Sequence, residues 1–451
     1  MDARGPVVRW QGMRQVQIGR LILLFSTGLL VVNKPVPAVQ VEPAVNAGLE
    51  YTNNARLTPN HEDDDWIATS AVGLKMSESD GPLTGNANAS LAYENYLDNT
   101  YGNKYYFNLN SSAVWEMIKG RLNWNVQDFY SQTPVNSLNA DTPSNIENTN
   151  VFSIGPHIFF PISGRQRLTL SPLYQNYYYG DSDTDNQQYG LNATWLYQLH
   201  PTARVGLDGG ATNVKYDNED RNPDYTIGTI RGVLSVTRPR SEYTLKLGGT
   251  KIHRDAYDDQ NGVTGNLTWL YKLTGHSSAR LYLASELTDT SAGYYNSQVN
   301  PDNGNYSNEQ ASSDVLRNNV GRLTLGRQSS TLNISAWAEY RDLDYKVAPY
   351  DRKVQEVGTQ LAYRISPSIT TGLYGDYNRT KETNDNRLDK RYAIGGNVGY
   401  RLSRTLSTVF GLNYRNEDSD VSSAEYSEFS AFIRLVYGKS ISGWQNSYRG
   451  Y

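Results

Sequence analysis

Histidines are the residues in this sequence that could activate a serine hydroxyl or a water molecule as a general base. The sequence has five of them: His61, His157, His200, His253 and His276. Four lie in short turns, in an acidic segment or directly after a proline. Only His253 has an acid-rich setting, in residues 251–259, and no nucleophile motif accompanies it. The sequence therefore predicts that the protein is not an enzyme and has no catalytic residues.

Carboxylates that could bind a metal ion occur together in residues 181–185, Asp-Ser-Asp-Thr-Asp, with the spacing that begins a calcium loop. Such a loop needs Gly at its sixth position and Glu at its twelfth. Here these positions are Asn186 and Asn192, so the motif is incomplete. We expect a solvated hairpin tip with no metal and no cofactor. The alternative is a loose Ca²⁺ or Mg²⁺ contact shared with lipopolysaccharide.

The composition limits the function further. Cysteine is absent, so disulfide and thiolate chemistry are excluded, and a net charge of −4 does not favour a nucleic-acid partner. The hydrophobic fraction of 38% is low for a protein of 451 residues with a conventional core. In contrast, 35 Tyr against 9 Phe indicates many rings with one apolar and one hydrated end. Such rings are typical of an interface between water and an apolar phase.

The N-terminal segment has the pattern of a secretory signal peptide. Arg14 and Arg20 precede an apolar run at residues 21–32, and small residues follow at 36–38. Because a helix needs about 20 apolar residues to cross a bilayer, this run is too short to span one. We predict a signal peptide over residues 1–38, cleaved after Ala38, with Met13 as an alternative start.

The remainder of the chain alternates between apolar and mostly polar residues, which predicts β-strands with one apolar face. In residues 266–273 the apolar positions are Leu267, Trp269, Tyr271 and Leu273. The same alternation recurs at residues 191–199, 392–402 and 429–437. No apolar segment of helical membrane length follows residue 40.

The links between these strands alternate between short and long, which predicts an up-and-down meander. The short links are residues 117–120, 161–164, 200–202, 238–240, 274–277, 328–330, 366–368 and 403–404. The long links, which are acidic or rich in Asn, are residues 60–65, 133–150, 180–187, 217–224, 254–261, 289–314, 342–353, 381–390 and 416–425. We call the two ends of the strands the tight end and the outer end, respectively.

These patterns predict an all-β fold, a single transmembrane antiparallel barrel of about 20 strands (between roughly 18 and 22) over residues 39–437, with a tail at 438–451. Closure into a ring satisfies every backbone hydrogen bond without water, so the apolar face can meet lipid. An even number of strands places both termini at the tight end. A soluble β-solenoid or propeller is the alternative, but no compact repeat of blade length is present.

Three segments also carry a resemblance to a known family. They are residues 48–59 (GLEYTNNARLTP), 66–73 (WIATSAVG) and 164–170 (GRQRLTL). They resemble the outer-membrane β-barrels associated with PEP-CTERM/exosortase systems and exopolysaccharide gene clusters. The resemblance implies a role beside polysaccharide synthesis or export in the outer membrane of a Gram-negative bacterium. In one respect the chain departs from this pattern, because it continues beyond Tyr437, the aromatic residue of the last strand.

The alternation also predicts which side chains point into the barrel. The candidate lumen-lining residues are Arg167, Arg204, Arg322, Glu339, Arg341, Glu356, Arg364, Asp376, Arg401, Arg415, Arg434, Tyr282, Trp337 and Tyr374. The arginines could steer an anionic sugar polymer, and the three aromatic residues could stack on sugar rings. Alternatively, the arginines solvate the rim or pair with carboxylates, and the rings pack against an inward-folded loop.

From these observations we expect a pore or accessory protein for the export or assembly of exopolysaccharide or another surface polymer. Two alternatives are a general or anion-preferring diffusion porin, and a docking barrel plugged by the 26-residue link 289–314. The expected partners are outer-membrane lipid and lipopolysaccharide, the barrel-assembly machinery, the polysaccharide and periplasmic export components.

Overall fold

A computed structural model describes residues 39–60, 62–300, 309 and 311–438. The predicted signal peptide, His61 and the tail beyond residue 438 lie outside the described residues.

The described chain forms twenty strands of 13 to 18 residues, which alternate in direction. They are β1 (Gln40–Thr52), β2 (Asp65–Glu78), β3 (Leu83–Tyr96), β4 (Lys104–Ile118), β5 (Leu122–Pro134), β6 (Ile146–Ser163), β7 (Gln166–Tyr179), β8 (Asn186–His200), β9 (Ala203–Tyr216), β10 (Tyr225–Thr237), β11 (Ser241–Arg254), β12 (Gln260–Lys272), β13 (Ser277–Asp289), β14 (Val315–Gln328), β15 (Leu332–Tyr345), β16 (Arg352–Arg364), β17 (Ile369–Glu382), β18 (Leu388–Arg401), β19 (Leu406–Ser419) and β20 (Tyr426–Gly438).

The sheet closes on itself. Each strand pairs antiparallel with the next, and β1 pairs with β20 from Ala44 opposite Gly438 to Thr52 opposite Ser430. Every strand of the described wall is therefore paired on both sides along at least part of its length, and the first and last strands meet with their terminal ends at the tight end. The predicted all-β, up-and-down barrel of about 20 strands is confirmed.

The outer face of the wall is apolar, as the alternation predicts. In β12, Val263 is 68% exposed, whereas the next residue, Thr264, points inward and is 2% exposed. Aromatic rings form pairs across neighbouring strands near the outer end, as in Tyr51–Trp66 and Tyr392–Tyr414, with ring centroids 5.2 and 6.0 Å apart. An apolar belt bordered by aromatic rings is the surface of a membrane-spanning barrel.

The links differ from the sequence prediction in two respects. The prediction omitted two links, residues 79–82 and 97–103, which complete the count of twenty strands. It also made several long links too long: the link predicted at 133–150 is confined to 135–145, and that at 342–353 to 346–351. The strands continue beyond the apolar belt, where both faces are polar and the alternation that reveals a strand is lost.

A helix that the sequence did not predict, α1 (Thr290–Val299), follows β13. The Asp289 carboxylate caps it by accepting a 2.8 Å hydrogen bond from the backbone N–H of Ala292. A single 3₁₀ turn lies at Ser422–Ala424. Within the described ranges, no helix is long and apolar enough to cross a membrane.

Candidate functional site: the lumen and its two inward loops

The strand register places every predicted lumen residue on the inner face. One hydrogen-bonded row runs from Tyr282 to Arg322, Glu339 and Glu356, each directly opposite the next on neighbouring strands. Residues directly opposite each other in a sheet share a face. The other predicted residues occupy positions of the same inner face on β7, β9 and β15–β20. That these residues line an open pore stays a prediction.

At the tight end, the predicted arginines are open to solvent. Arg167, Arg204, Arg364 and Arg401 lie at or next to strand ends, beside short links, and all four are exposed. The Arg204 Nε donates a 3.1 Å hydrogen bond to Gln198 Oε1, an uncharged partner. The inner face near the tight end is therefore lined by hydrated positive charges.

Towards the outer end, the inner-face charges are buried and paired. Glu339 is 5% exposed and forms salt bridges with two arginines. Its carboxylate lies 2.5 Å from Arg322 Nη1 and 2.6 Å from Arg341 Nη2. Because two guanidinium groups share one carboxylate, the cluster keeps a positive excess that needs a further acid. Glu309 supplies it, with its Oε1 at 2.7 Å from Arg341 Nη1.

A second buried network joins the last strands to the first. Arg415 Nη2 lies 2.5 Å from Glu428 Oε2, and the Thr52 hydroxyl donates to Glu428 Oε1 at 2.7 Å. The Arg434 guanidinium lies 3.6 Å from Glu50 and stacks over the Phe432 ring. The Thr52–Glu428 and Arg434–Glu50 contacts cross from β1 to β20, so they also reinforce closure of the barrel.

The three predicted aromatic residues are held against the wall. Trp337 Nε1 donates to Glu356 Oε1 at 2.6 Å, and its ring lies between Arg322 and the backbone of Gly358. Tyr374 lies across Gly395 and its hydroxyl donates to Asn413 Oδ1 at 3.0 Å. Tyr282 is also buried.

The first inward loop, residues 135–145, crosses the lumen from β5 and β6 to the opposite wall. Its Ser137 Oγ accepts a 2.6 Å hydrogen bond from Arg352 Nη1, and the Leu138 carbonyl accepts one from Arg387 Nη2 at 2.7 Å. Its Asp141 pairs with Arg391 at 3.3 Å. The Asn145 side chain holds the loop together through the carbonyls of Asn136 and Ala140. Three cationic side chains, on β16, on β18 and in the link between β17 and β18, thus hold one loop.

The second inward loop connects β13 to β14 and comprises the described residues 290–300, 309 and 311–314. Helix α1 extends from β13 across the lumen, opposite in direction to the first loop, and packs on β5–β7. The Tyr294 hydroxyl lies 2.6 Å from Ser131 Oγ, and the Tyr179 hydroxyl donates to Ser291 at 3.1 Å. Tyr294 is buried in an apolar cluster with Val151, Tyr177 and Tyr179.

The two inward loops share one side chain of the wall. Arg352, 3% exposed, bonds Ser137 of the first loop and Glu309 of the second. A cavity of about 20 Å³ remains between the first loop and the wall formed by β3, β4, β19 and β20. This is room for about one water molecule. The described residues of the two inward loops therefore lie in the outer half of the lumen and cover its buried charges.

Several inner-face residues were missed by the sequence analysis: Arg231, Lys246, Arg352, Arg391 and Glu417. Arg231 pairs with the buried Asp208 at 2.6 Å. The sequence pattern could have identified them, because the alternation that placed Arg322 and Arg415 on the inner face continues to these positions. The prediction ended the strands too early to include Arg352.

His253, the histidine with acidic neighbours, lies on the outer face of the barrel wall. His253 is opposite the outward-facing Thr226 and is exposed at the outer rim. Its Nδ1 lies 2.6 Å from Asp259 Oδ1, and Lys251 Nζ contacts the other Asp259 oxygen at 2.9 Å. Hydrogen bonds from Lys251 and His253 lower the pKa of the Asp259 carboxyl. The arrangement is a surface ion-pair cluster outside the lumen.

The acidic segment at residues 181–185 uses its carboxylates internally. Asp183 pairs with Arg221 of the neighbouring link, and Asp185 Oδ1 accepts the Tyr179 N–H at 2.7 Å. Partial burial, with Asp217 as an acidic neighbour, raises the pKa of Asp185 to about 6. Within the described ranges, no group of three or more His, Asp or Glu side chains could hold a metal ion.

Comparison with known proteins returns solved structures only. No protein-family model matches the sequence, and no curated protein matches it. The chain is similar to the copper transporter OprC at 10% identity, over 90% of this chain and 81% of that chain, with a TM-score of 0.45. It is similar to OccK2 (OpdF) from Pseudomonas aeruginosa, solved with glucuronate, at 8% identity over 89% and 98% of the chains, with a TM-score of 0.39. It is similar to the FrpB iron transporter from Neisseria meningitidis at 9% identity over 88% and 82%, with a TM-score of 0.45. The resemblance is one of barrel architecture.

Proposed function

We propose that the protein is a gated outer-membrane passage for an anionic surface polymer or its fragments. The observation that carries the proposal is the division of the lumen: a hydrated, basic tight end leads to an outer half closed by two loops. A barrel of twenty strands is wide enough to leave an aqueous channel where loops do not fill it.

The distribution of charge supports an anionic cargo. At the tight end, exposed basic residues outnumber acidic ones, and those at or near the inner rim include Arg121, Arg167, Arg204, Arg364, Arg401 and Arg404. The outer links are acidic, as at residues 62–65 and 255–259. A basic entrance concentrates a polyanion by long-range attraction, and an acidic exit repels it outward.

The link to exopolysaccharide rests on the sequence resemblance to barrels of PEP-CTERM/exosortase systems. In that setting the tight end faces the periplasm, where export components would deliver the polymer. Deletion of the gene should then reduce secreted polymer, and normal secretion in the deletion strain would count against this assignment.

Recording of currents across planar bilayers tests the gated passage. The wild-type protein should conduct weakly, because both loops occupy the lumen, and a variant with the shared arginine removed, Arg352→Ala, should conduct steadily. An acidic oligosaccharide added at the tight end should reduce that current more than a neutral one of equal length. Equal block by both sugars would contradict an anionic cargo.

A second candidate function is a closed docking barrel, which the extent of loop packing favours. Both loops are fixed to opposite walls, and the helix of the second loop lies in an apolar cluster. Absence of current through both the wild type and the Arg352→Ala variant would support this candidate over the gated passage. A steady large current through the wild type would instead support an ordinary diffusion porin.

A further inference from the structure

The wall of the barrel is incomplete between β12 and β13. Their pairing ends at Gly265 opposite Ser285, although β12 begins at Gln260 and β13 continues to Asp289. On its other side β12 remains paired with β11 as far as Gln260, and β13 with β14 as far as Asp289. We call the unpaired stretch, residues 260–264 against 286–289, the seam. It is a break in the strand pairing at the outer end of these two strands, and buried side chains such as Leu287 close it in this structure.

The two edges of the seam overlap. Leu287 belongs by alternation to the outer face, with Leu283 and Ser285, yet it packs in a buried cluster with the inner-face residue Ile252 of β11. Arg317, opposite Leu287 on β14, reaches the inner side of Gly262, where a Cβ would lie 2.0 Å from its Nη2. The outer ends of β13 and β14 therefore lie inside those of β11 and β12.

One guanidinium group bridges the seam. Arg317 Nη1 donates to the Val263 carbonyl of β12 at 3.1 Å and to Ser285 Oγ of β13 at 3.3 Å. Lipid cannot hydrogen-bond an unpaired carbonyl, and leaving such a group bare is costly. Arg317 replaces part of the missing strand pairing with a side chain, and a side chain can move aside without unfolding a strand.

The surface beside the seam is apolar on the outer face of the wall and polar on the inner face. On the outside, Val263 is exposed at the seam itself, and Leu247 and Leu283 are exposed beside it. On the inside, Glu286 accepts a 2.9 Å hydrogen bond from Asn266 and lies 3.9 Å from Arg231. A molecule that crossed here would place an alkyl chain against the outer residues and a polar head against the inner ones.

We propose that the seam is a lateral entrance through which an amphiphile with an alkyl chain passes between the outer leaflet and the lumen, with Arg317 as its latch. This goes beyond the proposed passage, which concerns movement along the barrel axis. The lateral entrance holds whether or not a polymer moves along that axis.

The absence of native cysteine allows a direct test with single-cysteine variants in lipid nanodiscs. Asn266→Cys places a thiol on the inner face beside the seam. Thr212→Cys places one on the inner face of β9, which is paired on both sides there. Both positions are half-buried. Each variant is treated with a phospholipid that carries a maleimide on its acyl chain, and separately with a small water-soluble maleimide that corrects for thiol reactivity.

After this correction, the lipid-borne reagent should label position 266 about tenfold faster than position 212, since a fully hydrogen-bonded wall excludes an acyl chain. Addition of Arg317→Ala should raise labelling at 266 about tenfold again by favouring the open seam, with no change at 212. Equal corrected rates at the two positions would overturn the proposal and leave the seam as a fixed step through which β13 leads to α1. These rates do not depend on axial conductance, so failure here and failure of the proposed passage are distinguishable.

Discussion

In the outer half of the lumen, Arg341 and Glu339 are 3% and 5% exposed and held by neighbouring charges, whereas at the tight end Arg364 and Arg401 are open to water. The two halves use the same residue types on the same face of the same sheet. They differ because loops from the outer end fold into the barrel and those of the tight end are too short to do so. Loop length, more than wall composition, decides whether an inner-face charge is structural or available to a ligand.

The largest effect on this difference between the two halves is expected from a variant that releases the loops. Arg352→Ala removes the side chain that bonds both Ser137 and Glu309, so the outer half should open. We expect single-channel conductance to rise about tenfold, because current through a wide barrel is limited by its narrowest part. Planar bilayer recording measures it.

Arg364→Ala is the matched control, since it removes the same charge from the same strand at the exposed tight end. It should leave the conductance close to that of the wild type. Equal effects of the two variants would mean that charge alone, and not loop release, controls the current.

Removal of one buried acid should produce the second largest effect. Glu339→Gln leaves Arg322 and Arg341 without the carboxylate that they share. Breaking a buried ion pair by removal of one partner costs about 3–5 kcal/mol in free energy of unfolding. Urea unfolding of the barrel in detergent micelles, followed by tryptophan fluorescence, measures this loss.

The matched control for the buried acid is Glu242→Gln. Glu242 lies 3.1 Å from Lys272 at the tight end, and the side chains are 42% and 49% exposed, respectively. Exposed pairs contribute about 0–1 kcal/mol, so this variant should unfold almost as the wild type does. A comparable loss in both variants would show that the two halves do not differ as described.

Much of the fold could be predicted from the sequence because a closed barrel repeats one rule. The period of two identified the strands and gave the inner face for residues as far apart as Arg167 and Arg434. It could not reveal which arginines are buried, since burial depends on contacts distant in the chain, such as Ser137 with Arg352 and Asp141 with Arg391. It also failed above the apolar belt, where strands have two polar faces.

The exposed arginines should have a moderate effect on ion selectivity. In the Arg352→Ala background, replacement of Arg167, Arg204, Arg364 and Arg401 by Gln should lower the preference for chloride over potassium about threefold at low salt. The reversal potential in a salt gradient reports this preference. Arg379→Gln, which removes a half-buried charge from the outward face of β17, should leave the preference unchanged.

The smallest effect concerns pH at the outer rim. Because the pKa of Asp185 is about 6 in the folded protein and 3.8 for the ordinary group, the folded protein binds more protons than the unfolded chain between these values. The contribution of this carboxyl to stability is therefore present at low pH and is lost as the pH rises through about 6. Protection of the outer link at residues 180–185 from hydrogen exchange, corrected for intrinsic rates, should be higher at pH 5 than at pH 7. In Asp185→Asn this difference should shrink.

Closure of the outer half is tested most directly by a thiol placed in the tight half and approached from each side. Thr370→Cys lies on the inner face of β17 near the tight end, and the native chain has no cysteine. A bulky polyethylene-glycol maleimide should modify this cysteine in oriented proteoliposomes only from the tight-end side, and from both sides when Arg352→Ala is added. Rapid modification from the outer side of the otherwise wild-type protein would contradict a lumen closed by its own loops.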